Sequence, residues 1–171
     1  MNAQRFAMLF VATLIGLSGC GGDDDENATD TEVGADSGES EVAACAPVGE
    51  DLEDDATETV AIQLDDYSFS PATLELEAGI VTFAAENIAS ENHELAFLPG
   101  GGQVPLTDTG EPDEDALADA GAFELEAFGP GRTCNATYDL DPGTYTLFCI
   151  VTSPDGETHY EKGMEGELVV R

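Results

Sequence analysis

From about residue 57 to the C-terminus, apolar residues return at every second position in short runs, and turn residues separate the runs. No other feature restricts the fold as much. A two-residue period puts one face of an extended strand inside and the other in water. Val60, Ile62 and Leu64 make one such face. Leu74 and Leu76 make a second, stopped by Ala78-Gly79, and Val81 with Phe83 make a third within 80–85. Leu95 with Phe97, and Phe123 with Leu125, follow. Thr133 to Leu140 and Thr144 to Val151 flank Asp141-Pro142-Gly143, a strong hairpin-turn sequence, and Leu168 to Val170 closes the chain. About eight short strands of this kind predict an all-β antiparallel sandwich or barrel. The span 57–171, roughly 115 residues, is the length of one domain.

One stretch departs from the pattern. Pro99 to Gly121 opens with three glycines and continues through Glu111-Pro112-Asp113-Glu114-Asp115. Proline suits a first helical turn, acids favour that end, and Gly121 suits the stop. A Gly-rich loop and one short helix at about 112–120 are expected.

Upstream of the domain the chain changes character twice. Arg5, an apolar run from Phe6 to Leu17, and Leu17-Ser18-Gly19-Cys20 form a charged start, a short apolar core and a small-residue exit. The run is too short to span a bilayer, which takes ~20 residues, so 1–19 reads as an export signal. The last tetrapeptide resembles a bacterial lipobox, with Cys20 as the lipidated residue. Residues 21–56 then contain 14 Asp or Glu, no Lys or Arg and no aromatic residue. Such a segment cannot bury enough apolar surface to offset its ordering entropy. Residues 20–56 are expected to be a disordered, self-repelling acidic tether.

Across the sequence 37 acidic residues face 4 basic ones. That surface repels nucleic acid and anionic lipid, so nucleic-acid binding is excluded as a function class. The acidity serves either to attract a basic partner such as a cytochrome or as a general adaptation of the surface to salt. Export also permits disulfides. With Cys20 lipidated, Cys45, Cys134 and Cys149 remain, an odd number that leaves one thiol over.

The chain has two histidines, His93 and His159. Cys149, His159 and Met164 lie together near the C-terminus. One thiolate, two imidazoles and a thioether are the donor set of a mononuclear blue-copper site, with Cys and two His in a trigon and Met weakly on the axis. Tyr145, Leu147 and Cys149 share a strand face, so the cysteine points inward at the end of the sandwich. Gly163 allows a turn tight enough for Met164 to reach back.

Three pieces of the sequence resemble the plastocyanin/azurin (cupredoxin) family of exported copper proteins. Leu140-Asp141-Pro142-Gly143-Thr144-Tyr145-Thr146-Leu147-Phe148-Cys149 is similar to the family's penultimate strand. His159-Tyr160-Glu161-Lys162-Gly163-Met164 and the following Glu165 to Val170 are similar to its His-x4-Met and last strand. Asn87 to Leu95 is similar to the segment that delivers the first histidine. The resemblance covers about 57–171 and implies a Greek-key sandwich holding one copper ion, Cu(I)/Cu(II), on His93, Cys149, His159 and Met164.

Two departures stand out. Nine residues, 150–158, separate Cys149 from His159, where the family usually has two to four; a Pro154-Asp155-Gly156 turn inside them offers a way to loop out. Glu94 stands where plastocyanin-like members have Asn, and an ionised carboxylate only accepts hydrogen bonds, so the brace around the site has to differ. Two disulfide pairings remain open. Cys45–Cys134 leaves the family's ligand set intact and is the one the resemblance favours. Cys134–Cys149, across the expected hairpin, would leave His93, His159 and Met164, a set suited to Cu(I) storage or delivery.

The resemblance implies a membrane-anchored, extracytoplasmic one-electron carrier, with an imidazole edge of His159 as the route to a redox partner such as a cytochrome or oxidase. A copper delivery or storage protein, and a metal-free cupredoxin-like binding module, are the alternatives. No acid–base pair or nucleophile turn is singled out by spacing, so an enzyme is not expected.

Overall fold

The computed structural model describes residue 45 and residues 48–171. The expected signal peptide at 1–19, the lipidation site Cys20 and, Cys45 apart, the tether up to residue 47 lie outside them.

The alternation read from the sequence becomes two facing sheets. One has four strands in the order β2-β1-β4-β7, the other five in the order β3-β9-β8-β5-β6. The first comprises β1 (Glu58–Asp65), β2 (Ser68–Ser70), β4 (Gly79–Asn87) and β7 (Thr133–Leu140). The second comprises β3 (Thr73–Leu76), β5 (His93–Pro99), β6 (Phe123–Phe128), β8 (Gly143–Phe148) and β9 (Glu165–Val170). Val60, Ile62 and Leu64 of β1 point inward as their spacing predicts, beside Phe83 of the neighbouring β4 and in one core with Phe97, Leu147 and Leu168 of the other sheet. Each such fully buried Leu or Phe contributes about 1.5–3 kcal/mol.

Two strand pairs are parallel, β1 with β4 and β3 with β9. The sequence pointed to antiparallel neighbours, because turn residues report where a chain reverses and carry nothing about which strand lies alongside.

The turn at Asp141-Pro142-Gly143 does not close a hairpin. β7 pairs with β4 in the four-stranded sheet, and β8 pairs with β5 and β9 in the five-stranded one. Two strands that alternate in phase can satisfy their apolar faces side by side or face to face across a core. Here they do the second, so Cys134 and Cys149 enter the core from opposite sheets.

β5 is buried almost throughout, from His93 to Leu98. Its outer face, Ala96 and Leu98, packs with Phe148 of β8, Val104 and Leu117 of helix α2 (Glu114–Asp119) in a satellite cluster. That helix falls inside the expected 112–120. It starts one residue past Asp113, whose carboxylate accepts from the Ala116 amide, and it stops before Gly121.

The ordered body reaches upstream of the boundary at 57. Cys45 is joined to Cys134, Val48 bridges to Ala136, and a single helical turn, α1 (Glu50–Glu53), follows. Gly49 lies so close to β7 that a Cβ there would sit 2.0 Å from the Thr137 carbonyl oxygen. Composition averaged over 21–56 conceals this: residues 42–49 contain no acid, and one cross-link and one close backbone approach fall within that short stretch.

Candidate metal centre

The site is assembled at one end of the sandwich from a strand start, a strand end and a loop. β4 ends at Asn87, and the chain then crosses to β5. Asn87 is completely buried and organises that crossing: its side-chain amide donates to the carbonyls of Glu91 and Phe128, and its carbonyl accepts from the Ala89 amide. The crossing delivers His93 at the first position of β5, paired with Phe128. Cys149 follows the last residue of β8 and continues the inward face of Tyr145 and Leu147.

The long segment after Cys149 returns to the site by folding out on itself. Thr152 bridges to Thr158, Ser153 donates to the Glu157 carbonyl, and the His159 amide closes on the Val151 carbonyl at 2.9 Å. Only Ile150 and Val151 therefore separate Cys149 from His159 by the short way across the hairpin base. The extra residues are an outgrowth that leaves the ligand spacing intact.

From His159 the chain makes one helical turn to Met164. Thr158 and Glu161 form a capping box: the Thr158 hydroxyl accepts from the Glu161 amide, and the Glu161 carboxylate accepts from the Thr158 amide. The turn ends in a Schellman arrangement, with Met164 N–H bonded to His159 O and Gly163 N–H to Tyr160 O. Gly163 takes the left-handed conformation this requires, at φ 95°.

The result brings all four sequence-predicted residues together, each wholly buried. His93 Nδ1 lies 2.9 Å from His159 Nδ1 and 3.1 Å from Met164 Sδ. Cys149 Sγ lies 3.3 Å from His159 Nδ1 and 3.9 Å from His93 Nδ1. Donors sharing one ion at ~2.0–2.3 Å sit about 3.3–3.8 Å apart. The Cys149–His159 separation falls in that range, the two contacts of His93 Nδ1 with His159 and Met164 are a few tenths of an ångström shorter, and its distance to Cys149 is slightly longer, so one ion at the centre needs only small shifts of the His93 ring. Cys45–Cys134 is the disulfide, and Cys149 is the free cysteine among the described residues.

The chemistry of the donors points the same way. The outer nitrogens are committed: His93 Nε2 donates to Asp66 Oδ1 at 3.0 Å and His159 Nε2 to Glu91 Oε2 at 3.2 Å. With each Nε2–H given to a carboxylate, the neutral form of each ring turns its Nδ1 lone pair inward, toward the other ring, an arrangement that a cation relieves. Burial pushes the Cys149 thiol up to about 12, a direction the Glu94 charge reinforces, while backbone N–H groups of Glu94 and Val151 oppose it. Metal uptake therefore has to displace the thiol proton.

Sequence reasoning missed the surroundings. Asp66 and Tyr67 form the two-residue turn between β1 and β2, and Glu91 lies in the β4–β5 crossing. No spacing rule marks these residues; the Thr158-x-x-Glu161 capping box was also missed, although its spacing is a signal that could have found it. The Tyr67 ring lies 4.8 Å from that of His159, its hydroxyl donates to Glu91, and Lys162 Nζ sits over the ring, 5.1 Å from its centre. The His159 edge expected to lead to a partner lies beneath this lid: the residue has no accessible surface, and Tyr67 packs against its ring. Glu94 does brace the loop, as an acceptor, its Oε1 taking the Ile150 amide at 2.5 Å. Burial pushes its carboxyl up to about 7, the Ile150 N–H working against that and the charges of Glu124 and Glu114 adding to it.

No protein family model matches the sequence, and no curated protein does. Among solved structures, auracyanin B superposes with a TM-score of 0.50 at 22% identity, over 77% of this chain and 95% of that one. The chain has the cupredoxin fold. Two further cupredoxins show weaker likeness. Auracyanin A, a "blue" copper protein of the green thermophilic photosynthetic bacterium Chloroflexus aurantiacus, gives a TM-score of 0.45 at 23% identity, over 66% of this chain and 99% of that one. Amicyanin from Paracoccus versutus gives 0.42 at 21%, over 76% and 95%.

Proposed function

We propose that this protein is an exported copper-binding one-electron carrier, tethered to a membrane by lipid at Cys20. The observation that carries the reading is the convergence of His93 Nδ1, His159 Nδ1, Cys149 Sγ and Met164 Sδ at the end of a cupredoxin sandwich. Two imidazoles, a thiolate and a thioether suit both copper oxidation states. Bound there, copper would supply the Cu(II)/Cu(I) couple.

The protein's own part is to hold those donors still. His93 and Cys149 are fixed by strands β5 and β8, His159 by the hairpin base, and Met164 by the Schellman turn. The site is dry, since none of the four has accessible surface. Electrons reach a partner such as a cytochrome or oxidase through the lid formed by Tyr67, Glu91 and Lys162. The Cys45–Cys134 disulfide supports an oxidising compartment, and the acidic tether gives the lipid-held domain reach.

A free Cys149 favours the carrier over a thiolate-free Cu(I) delivery protein. Adding Cu(II) to the metal-free protein is expected to give an intense visible absorption that saturates at one equivalent and disappears in Cys149→Ser. Tight Cu(I) binding without colour would move the reading to delivery or storage, and no copper uptake would leave a metal-free binding module. Cys20→Ser is expected to shift the protein from the membrane to the soluble fraction.

A further inference from the structure

Both imidazoles are held from behind by carboxylates, and the pairing crosses over. Glu91 lies two residues before His93 in sequence, yet it takes the Nε2 hydrogen of His159. His93 is taken by Asp66, from the β1–β2 turn. Each carboxylate is surrounded by donors. Asp66 Oδ2 accepts from the Ser90 amide at 3.0 Å and the Ser90 hydroxyl at 2.6 Å, which leaves Oδ1 for His93. Glu91 Oε1 accepts from the Tyr67 hydroxyl at 2.9 Å, and Oε2 lies 2.9 Å from the Ser153 hydroxyl as well as 3.2 Å from His159 Nε2. A group that accepts on both oxygens has no place for a proton, so each stands as a carboxylate.

The consequences for the rings are geometric. An acceptor at Nε2 fixes the hydrogen there and leaves the Nδ1 lone pair inward, toward Cys149 and Met164. Neither ring can turn over without breaking its outer bond, and His159 is also packed beneath Tyr67. The two carboxylates are about one-quarter exposed, at 28% and 26%, and so lie between the rings and the solvent. They place two negative charges one imidazole away from the four donor atoms.

From this arrangement we propose that Asp66 and Glu91 are positioning residues of the metal centre. They lock both histidines as Nε2–H tautomers and bias the site toward the more highly charged oxidation state of its metal. The proposal rests on the copper reading for its second half alone; the first half is a property of the metal-free protein. It also gives the lid a role, because Tyr67, Ser90 and Ser153 are the donors that keep the two carboxylates in place.

The test separates acceptor from charge. Asp66→Asn and Glu91→Gln keep an oxygen for the ring N–H and lose the charge; Asp66→Ala and Glu91→Ala lose both. Nitrogen NMR of the metal-free wild type is expected to show both rings as Nε2–H tautomers. Asp66→Ala should release His93, and Glu91→Ala should release His159, each leaving the other ring unchanged. In competition with a chelator, each alanine variant is expected to bind copper about 10–100-fold more weakly, the usual effect of removing an outer partner. Asn and Gln should restore most of that affinity but raise the reduction potential, about 59 mV for each tenfold loss of Cu(II) over Cu(I) preference. Alanine variants with unchanged tautomers and copper affinity would overturn the positioning role. Asn and Gln variants at the wild-type potential would overturn the charge bias. If the wild type takes up no copper, the copper reading and the charge bias fall together, and the tautomer measurement still decides the positioning.

Discussion

The centre has two halves held by different means. His93 begins β5 and Cys149 directly follows β8, strands whose register is set by the whole sandwich: β5 pairs on both sides, and β8 pairs with β5 and β9. His159 and Met164 belong to fifteen residues, 150–164, whose shape comes from local bonds: a hairpin base, a capping box and a Schellman turn. The strand-held pair can move only if the core moves. The loop-held pair depends on a few bonds worth about 1 kcal/mol each, and so can be loosened while the domain stays folded. Global stability and site geometry should therefore respond to different substitutions.

The largest effect tests the first side of that contrast. Cys45–Cys134 closes a sequence separation of 89 residues, far from the loop-held ligands in sequence. Replacing both cysteines by alanine is expected to lower stability by about 4 kcal/mol through the entropy returned to the unfolded chain. Denaturant titration reads that loss. The copper absorption of the folded fraction should not change, and a shifted spectrum would mean that the site is strained by the fold as a whole.

Glu94 lies where the halves meet, next to His93 and bonded to Ile150 at the root of the loop. Its carboxyl titrates at about 7 in the folded metal-free protein against a usual 4.5. Between those values the folded chain binds more protons than the unfolded one, so this group's contribution to stability falls as pH rises from 4.5 to 7 and stays low above. Glu94→Gln keeps an acceptor for Ile150 and removes the buried charge. It is expected to stabilise the metal-free protein by roughly 3 kcal/mol at pH 8 and by little near pH 4.5. Melting curves across that range check the slope; a variant as pH-dependent as the wild type would place the cost elsewhere.

The sequence showed the strand-held half more plainly than its surroundings. Alternation put Tyr145, Leu147 and Cys149 on one inward face, because a two-residue period survives whichever strand lies alongside. It could not tell a hairpin at Asp141-Pro142-Gly143 from a crossing between sheets, since both present the same apolar face to the core. The loop-held half was legible at Gly163 and in the spacing from His159 to Met164. The nine residues before His159 looked like a departure because linear distance hides the bond from His159 to Val151. Asp66, Tyr67 and Glu91 were invisible for a related reason. They come from two other loops, and a polar residue in a turn looks the same whether it faces water or an imidazole.

The smallest expected effects fall on the loop-held half and decide whether the contrast holds. Gly163→Ala puts a Cβ on a residue at φ 95°, with open space around it, so the cost is conformational and about 1–2 kcal/mol. Thr158→Ala removes the hydroxyl that accepts from Glu161 and leaves the reverse bond from the Thr158 amide, at a cost of about 1 kcal/mol. If 150–164 folds as a local unit, that cost falls on opening the loop. Global unfolding would then be almost unchanged, while amide exchange at Gly163 and Met164 would speed up about fivefold, the factor that 1 kcal/mol represents. Copper should dissociate faster from Thr158→Ala by a similar factor, because His159 and Met164 have to leave together when the turn opens. A loss of global stability with unchanged exchange at Gly163 would show that the turn unfolds only with the sandwich, and the two halves would then be one.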